Sequence, residues 1–209
     1  MKPTMIQSPV RGDWSFMNPP GHHPDAKDFV AVNEAGMPYE RTKILRHLFY
    51  KLSVTDTYAW EKEIFSPFEG EVIGVKNNAQ DRMDLNIFRD LVSGLVLSPR
   101  NRKNDIDYFL GNYVVLESKT GFFALVAHLR QGSVVVNKGM KVVAGELIAK
   151  VGNSGNTIQP HLHFQVMKKN DLCQSTPIPF IFRFSQIGNN GAWDPVNSTL
   201  PRNWQKFRV

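Results

Sequence analysis

Val151-Gly152-Asn153-Ser154-Gly155-Asn156-Thr157-Ile158-Gln159-Pro160-His161-Leu162-His163-Phe164-Gln165-Val166 is the stretch around which the chain is organised. Gly152, Asn153, Gly155 and Asn156 fall close together, and that is turn chemistry tolerant of φ > 0. After Pro160 the character changes. His161 to Val166 alternates polar and apolar with period 2, the pattern of a strand. Both imidazoles then share one face, and Leu162, Phe164 and Val166 share the other. A turn that re-aims the chain before two same-face histidines builds half a metal site. Taken alone, His-x-His fits equally a strand with two half-buried histidines, so the partners elsewhere in the chain matter.

At 209 residues the chain fits one domain with embellishments and can bury a sizeable core. Its 42% hydrophobic and 21% charged residues are ordinary for a globular protein. No run approaches the roughly 20 apolar residues of a membrane span. The first residues, Met1-Lys2-Pro3-Thr4-Met5-Ile6, lack an apolar core, so no secretory signal is expected in this sequence. The single Cys173 excludes an internal disulfide and a cysteine-rich zinc cluster. A net charge of +6 and a pI near 9.5 favour acidic partners: an anionic cell-wall polymer, nucleic acid or lipid headgroups. The densest basic patch, Arg100, Arg102 and Lys103, is followed at once by Asp105 and Asp107. That is a solvated surface, and nucleic-acid binding is not expected.

In chain order, residues 1–21 carry Pro3, Pro9, Pro19 and Pro20 and read as an extended arm pinned by Trp14. Gly21-His22-His23-Pro24-Asp25-Ala26-Lys27-Asp28 then leads into an apolar strand at 29–32. Histidine and aspartate around a loop that enters a strand are metal-ligand chemistry if they converge with the later histidines. Glu40, Ile44, Leu45, Leu48, Phe49 and Leu52 have helical spacing, so 40–52 is expected to be an amphipathic helix with His47 facing solvent. Residues 64–75 read as strand, turn, strand. Residues 78–110 read as a surface insertion with a helix at 84–92. Strands are expected at 113–117, 121–128, 133–136 and 147–151, with Gly139 and Gly145 at tight corners. The segment 167–209, with Phe180, Phe182, Phe184, Trp193, Trp204 and Phe207, should pack back on the body. The whole of 1–209 is read as one domain.

Zinc binds neutral imidazole and carboxylate, and a catalytic zinc keeps three protein ligands and a water. A histidine of the 22–23 pair, Asp28 and one of His161 and His163 would supply that set. With one carboxylate among them, positive charge remains to polarise water and a carbonyl. His128, at the end of an apolar strand, could join the unliganded member of the pair in holding the water and stabilising a tetrahedral intermediate. There is no H-E-x-x-H, so the helical zincin arrangement does not apply.

These motifs resemble the lysostaphin/LytM-type zinc metallopeptidases, which cut peptide bonds in bacterial cell-wall peptidoglycan. The likeness is closest over 111–166, in G-N-Y-V-V, A-H-L, G-x-x-V-x-x-G-x-x-I and G-N-S-G-N-T-x-x-P-H-L-H-F, and weaker back through S-P-F-E-G-E-V. It implies His163 and Asp28 as Zn2+ ligands, and His128 and His161 as catalytic histidines off the metal. The first ligand departs from the pattern. The family's tight form is H-x-x-x-D, a spacing that neither His22 nor His23 has to Asp28. Pro20-Gly21-His22-His23 lines up with the looser Pro-x-His-x loop, so His22 is expected, with His23 as the alternative. Gln165 stands where glutamate is common. The implied fold is α+β, mainly antiparallel β: a compact sheet or barrel-sandwich core with a substrate groove and a few peripheral helices.

The implied function is a zinc-dependent endopeptidase cleaving peptidoglycan cross-links or stem peptides, outside the cell or in its envelope. One rival is a catalytically degenerate member of the same fold that binds or regulates cell-wall enzymes. The other is a biotinyl- or lipoyl-type carrier, echoed by S-P-F-E-G-E-V and the glycine spacing. The lysine hairpin of a carrier is missing from the place where it should stand.

Overall fold

Val114 and Leu116, Ala124 and Val126, and Leu162, Phe164 and Val166 are alternate residues of three strands, and all are fully buried. The period of two gives each strand one wholly apolar face. The computed structural model describes residues 2–18, 23–43, 51–86, 106–172, 175–189 and 192–209. Its strands, in chain order, are β1 (Thr4–Ile6), β2 (Asp13–Met17), β3 (Lys27–Ala31), β4 (Leu52–Ser53), β5 (Glu63–Phe65) and β6 (Gly70–Lys76). They continue with β7 (Asp84–Leu85), β8 (Asn112–Ser118), β9 (Phe123–Leu129), β10 (Lys141–Val142), β11 (Leu147–Lys150) and β12 (Leu162–Met167). The tail supplies β13 (Pro177–Ile178), β14 (Phe180–Asn189), β15 (Ala192–Thr199) and β16 (Lys206–Arg208).

The main sheet is open, in the order β1-β14-β16-β2-β3-β12-β9-β8-β6-β10, with β13 beside β12 and β15 beside β14. β1 pairs parallel with β14; β12 pairs antiparallel with both β3 and β9. The mainly antiparallel core expected from the sequence is present. Helix is scarce among the described residues: α1 (Ile106–Leu110) and two short 3-10 turns.

Several local expectations change. The arm is not merely extended, because β1 and β2 are strands of the main sheet, and Trp14 is fully buried. Residues 44–50, including His47, lie outside the described set. The ends of the expected helix 40–52 are a 3-10 turn, Arg41–Lys43, and the strand β4. The start of the expected helix 84–92 is the strand β7, paired with β4. There Leu85 and Leu52 are both buried in a small cluster with Tyr39 and Val54, so tertiary packing overrides local helix spacing. Residues 87–105, with Arg100, Arg102 and Lys103, lie outside the described set.

Residues 133–136 form no strand. Ser133 Oγ donates to Arg130 O at 2.8 Å and accepts from Lys150 N at 3.1 Å, which replaces ladder bonds with local ones. In the tail, Phe180, Phe182 and Phe207 are buried as expected, whereas Trp204 is 72% exposed. Cys173 and the Phe184 side chain lie outside the described set.

An aromatic stack backs the site strand. Phe16 meets Phe29 edge to face at 4.7 Å and Phe207 at 4.7 Å. Phe164 of β12 meets Phe29 at 5.8 Å and Phe180 at 5.0 Å. Arm, β3, β12 and tail therefore share one core. Phe207→Ala is expected to cost about 3–5 kcal/mol, read as a shift in the denaturation midpoint. A change within about 0.5 kcal/mol, the usual effect of a surface substitution, would show that the tail is not part of this core.

Candidate active site

Register builds the site. His163 of β12 stands opposite Asp28 of β3 on one side and Ala127 of β9 on the other. Asp28 is 2% exposed, and its Oδ1 lies 2.8 Å from His163 Nδ1 and 3.7 Å from His161 Nε2. His128 arrives by a different device. Asn112 pairs with Leu129 and Tyr113 with Ala127, so His128 is the extra residue of a β-bulge. Its φ is 61°, the left-handed region, which histidine enters at a cost of about 1–2 kcal/mol.

The bulge inverts the alternation of β9. Ala124 and Val126 face the main core, Leu125 and Ala127 the second cluster, and Leu129 the main core again. His128 is thereby turned toward its partners, its ring 4.7 Å from that of His161 and 5.9 Å from that of His163.

Carbonyl oxygens only accept, so they fix which ring nitrogens carry hydrogen. His128 Nδ1 donates to Ser154 O at 2.9 Å, and His161 Nδ1 donates to Gln159 O at 2.8 Å. Thr157 Oγ1 supports the second ring, 3.0 Å from His161 Nδ1 while donating to Gln159 O at 2.7 Å. In both rings Nδ1 is thereby committed to a backbone carbonyl, which leaves Nε2 for the site. His161 Nε2 is buried with no hydrogen-bond partner. Burial, followed by the charges of His161 and His163, pushes His128 well below the ordinary imidazole range, so it is neutral at pH 7. His163 is raised: burial opposes its charging, but the hydrogen bond and charge of Asp28, with the Gln165 bond, outweigh it.

Residues 91–175 match the model of peptidase family M23. That match contains His128, His161 and His163 on the bulge and strand just described. Over this segment the chain is similar to the M23 peptidases. Asp28 lies outside the matched segment and is brought to its histidines by the β3–β12 pairing. Peptidoglycan DD-endopeptidase ShyA of Vibrio cholerae is 34% identical over 74 residues, 35% of this chain and 16% of that protein. ShyB of the same organism is 37% identical over 62 residues, 30% of this chain and 14% of that protein. The chain thus matches only a small part of either curated relative. Among solved structures, the catalytic domain of lysostaphin from Staphylococcus simulans is 16% identical with a TM-score of 0.42, covering 82% of this chain and 84% of that one. A zinc-containing peptidase from Vibrio cholerae is 20% identical with a TM-score of 0.42, over 79% of this chain and 40% of that one.

The glycine turn before β12 is held by close backbone approach. Gly155 (φ +79°) and Gly111 (φ +62°) face each other, and a Cβ on Gly111 would lie 2.4 Å from Ser154 C. Gly111→Ala is expected to cost about 1–2 kcal/mol in backbone strain and about 1–3 kcal/mol in overpacking, seen as a lower denaturation midpoint. A midpoint equal to wild type would show that the turn relaxes freely.

The other expected residues divide. His22 lies outside the described residues. His23 is engaged in its own loop, its Nδ1 accepting from Asp25 N at 3.2 Å. Among the described residues no three His, Cys, Asp or Glu side chains close into a metal-holding group; Asp28 and His163 form a pair, with His161 alongside. Gln165 Oε1 lies 3.3 Å from His163 Nε2, where it can accept that N–H and leave Nδ1 as the donor atom for a metal. Ser154 and Thr157, from the glycine-turn motif, also brace the site, as do Asp81 and Arg82, which stood out in no motif.

Proposed function

We propose that this chain is a zinc-dependent endopeptidase that cleaves peptide bonds in peptidoglycan cross-links. The observation that carries the proposal is the convergence of Asp28 of β3, His163 of β12, His161 just before it and His128 at the bulge of β9 on one buried locus. The curated relatives named as peptidoglycan DD-endopeptidases support the substrate class. Such a substrate lies outside the cytoplasmic membrane, and the net charge of +6 suits an anionic wall. Among the described residues no helix is long and apolar enough to cross a membrane.

The donor set fits zinc. A buried carboxylate and an imidazole whose Nδ1 points at it suit a borderline cation with N and O ligands. Asp28 and His163 would hold the ion with His22 as third ligand, and His23 as the alternative. When bound, zinc supplies a Lewis acid that polarises the scissile carbonyl and activates water near neutral pH. The chain's own residues do the rest. Gln165 orients His163, and the Ser154 and Gln159 carbonyls hold His128 and His161 with Nε2 free. The Nε2 of His128 takes the proton of the attacking water and returns it to the leaving amine, and His161, when it carries a proton on Nε2, donates to the charge that develops at the carbonyl.

Hydrolysis of purified peptidoglycan, with zinc measured in the same sample, tests the proposal; a fully loaded protein that releases no new amines would favour the degenerate, binding role. The acid limb contributed by His128 is expected below pH 6.5, because burial and neighbouring rings lower that group and a nearby cation lowers it further. kcat/KM should therefore hold level from pH 7 into mildly acidic solution. A limb near pH 7 that vanishes in His128→Ala would contradict it.

A further inference from the structure

We propose that Asp81 and Arg82 are positioning residues for the two histidines that stay off the metal, Asp81 for His128 and Arg82 for His161. The inference rests on the catalytic reading only for what those histidines do. Asp81 lies in a stretch read from the sequence as surface insertion, yet it pairs with Ser154 in an isolated β-bridge. Its Oδ1 accepts from Asn153 N at 2.6 Å and its Oδ2 from Gln131 N at 2.7 Å. One carboxylate thus ties the chain just after His128 to the residue just before Ser154, whose carbonyl holds His128 Nδ1. Gly152 N closes the same loop by donating to His128 O at 3.0 Å. A bulged histidine at φ 61° keeps its aim only while the segments on both sides are over-determined.

Arg82 reaches the other ring. Its Nη2 donates to Thr157 O, and Thr157 Oγ1 sits 3.0 Å from His161 Nδ1. The backbone of Arg82 is fixed at the same place: Asn153 Nδ2 donates to Arg82 O at 2.6 Å, and Arg82 N donates to Asn153 O at 3.2 Å. Adjacent residues of one strut therefore set the tilt of two different imidazoles. A displacement of roughly 1 Å in such groups costs about 10²-fold in rate.

The test uses zinc-loaded full chain, wild type against Asp81→Asn and Arg82→Lys. Asparagine at 81 keeps one acceptor and turns the other into an NH2 that faces an N–H. Lysine at 82 keeps the charge and loses the planar fork. The readouts are zinc content, kcat and KM on peptidoglycan, and the imidazole 15N shifts of each histidine. Zinc content and KM should stay near wild type, and kcat should fall on the order of 10²-fold. The His128 shifts should move toward a tautomer mixture in Asp81→Asn alone, and those of His161 in Arg82→Lys alone.

Wild-type kcat with wild-type imidazole shifts overturns the proposal. So does joint loss of zinc and cooperative unfolding in both variants, which would make the strut structural only. If wild type itself cleaves nothing, the catalytic reading fails while the imidazole shifts still decide the positioning.

Discussion

Alanine at His128 is expected to leave zinc in place and to lower the rate of cross-link hydrolysis about 10²- to 10⁴-fold. Among the described residues the ring hydrogen-bonds to Ser154 O through Nδ1 and not to Asp28 or His163, so a metal held by that pair loses no ligand. What disappears is the Nε2 lone pair proposed to move the proton. His161→Ala should behave similarly, losing about 10²- to 10³-fold as a charge-stabilising donor. The double variant should fall well short of the product, because both rings act on one water and one intermediate. The bulge adds a second consequence: alanine at φ 61° is strained, so Asn, which tolerates the left-handed region, is the better control for structure. His128→Asn that folds as wild type and cleaves as fast would remove the ring from the chemistry.

Asp28→Ala is expected to abolish both tight zinc binding and activity. Losing an outer hydrogen-bond partner already costs metal affinity about 10- to 100-fold, and Asp28 is proposed to touch the ion itself. It is also the 2.8 Å partner that orients His163. Asp28→Asn, which keeps the shape and removes the charge, separates these roles. It should retain the fold and still lose zinc, since a neutral amide is a far weaker ligand than a carboxylate. Full zinc in Asp28→Asn by elemental analysis would place the ion elsewhere.

The grouping of His161 and His163 beside Asp28 was legible because its signals are local. Period 2 across His161–Leu162–His163 put both rings on one face, and the strand after Asp28 was plain in Phe29 and Val30. Gln165 stood out as a departure from the expected glutamate and now lies beside His163 Nε2. Long-range pairing was not legible. Asp13 and Arg208 meet across 195 positions of sequence, and nothing in either segment names the other. The expected helix beginning at residue 84 lost its start to a strand, because burying Leu85 against Leu52 depends on residues far apart in the chain. The bulge at His128 had no glycine or asparagine to announce it. Asp81 and Arg82 sit in a polar run that resembles any solvated loop, and their role appears only when the glycine turn packs against them.

Muropeptide profiling of purified peptidoglycan after incubation with the zinc-loaded chain tests the assignment of this cluster most directly. Cross-linked dimers should give way to monomers, chelation should stop the conversion, restored zinc should restart it, and fully loaded His128→Ala should be nearly inert. Undiminished dimers beside a wild-type chain carrying its full complement of zinc would contradict an endopeptidase acting through Asp28, His163, His161 and His128.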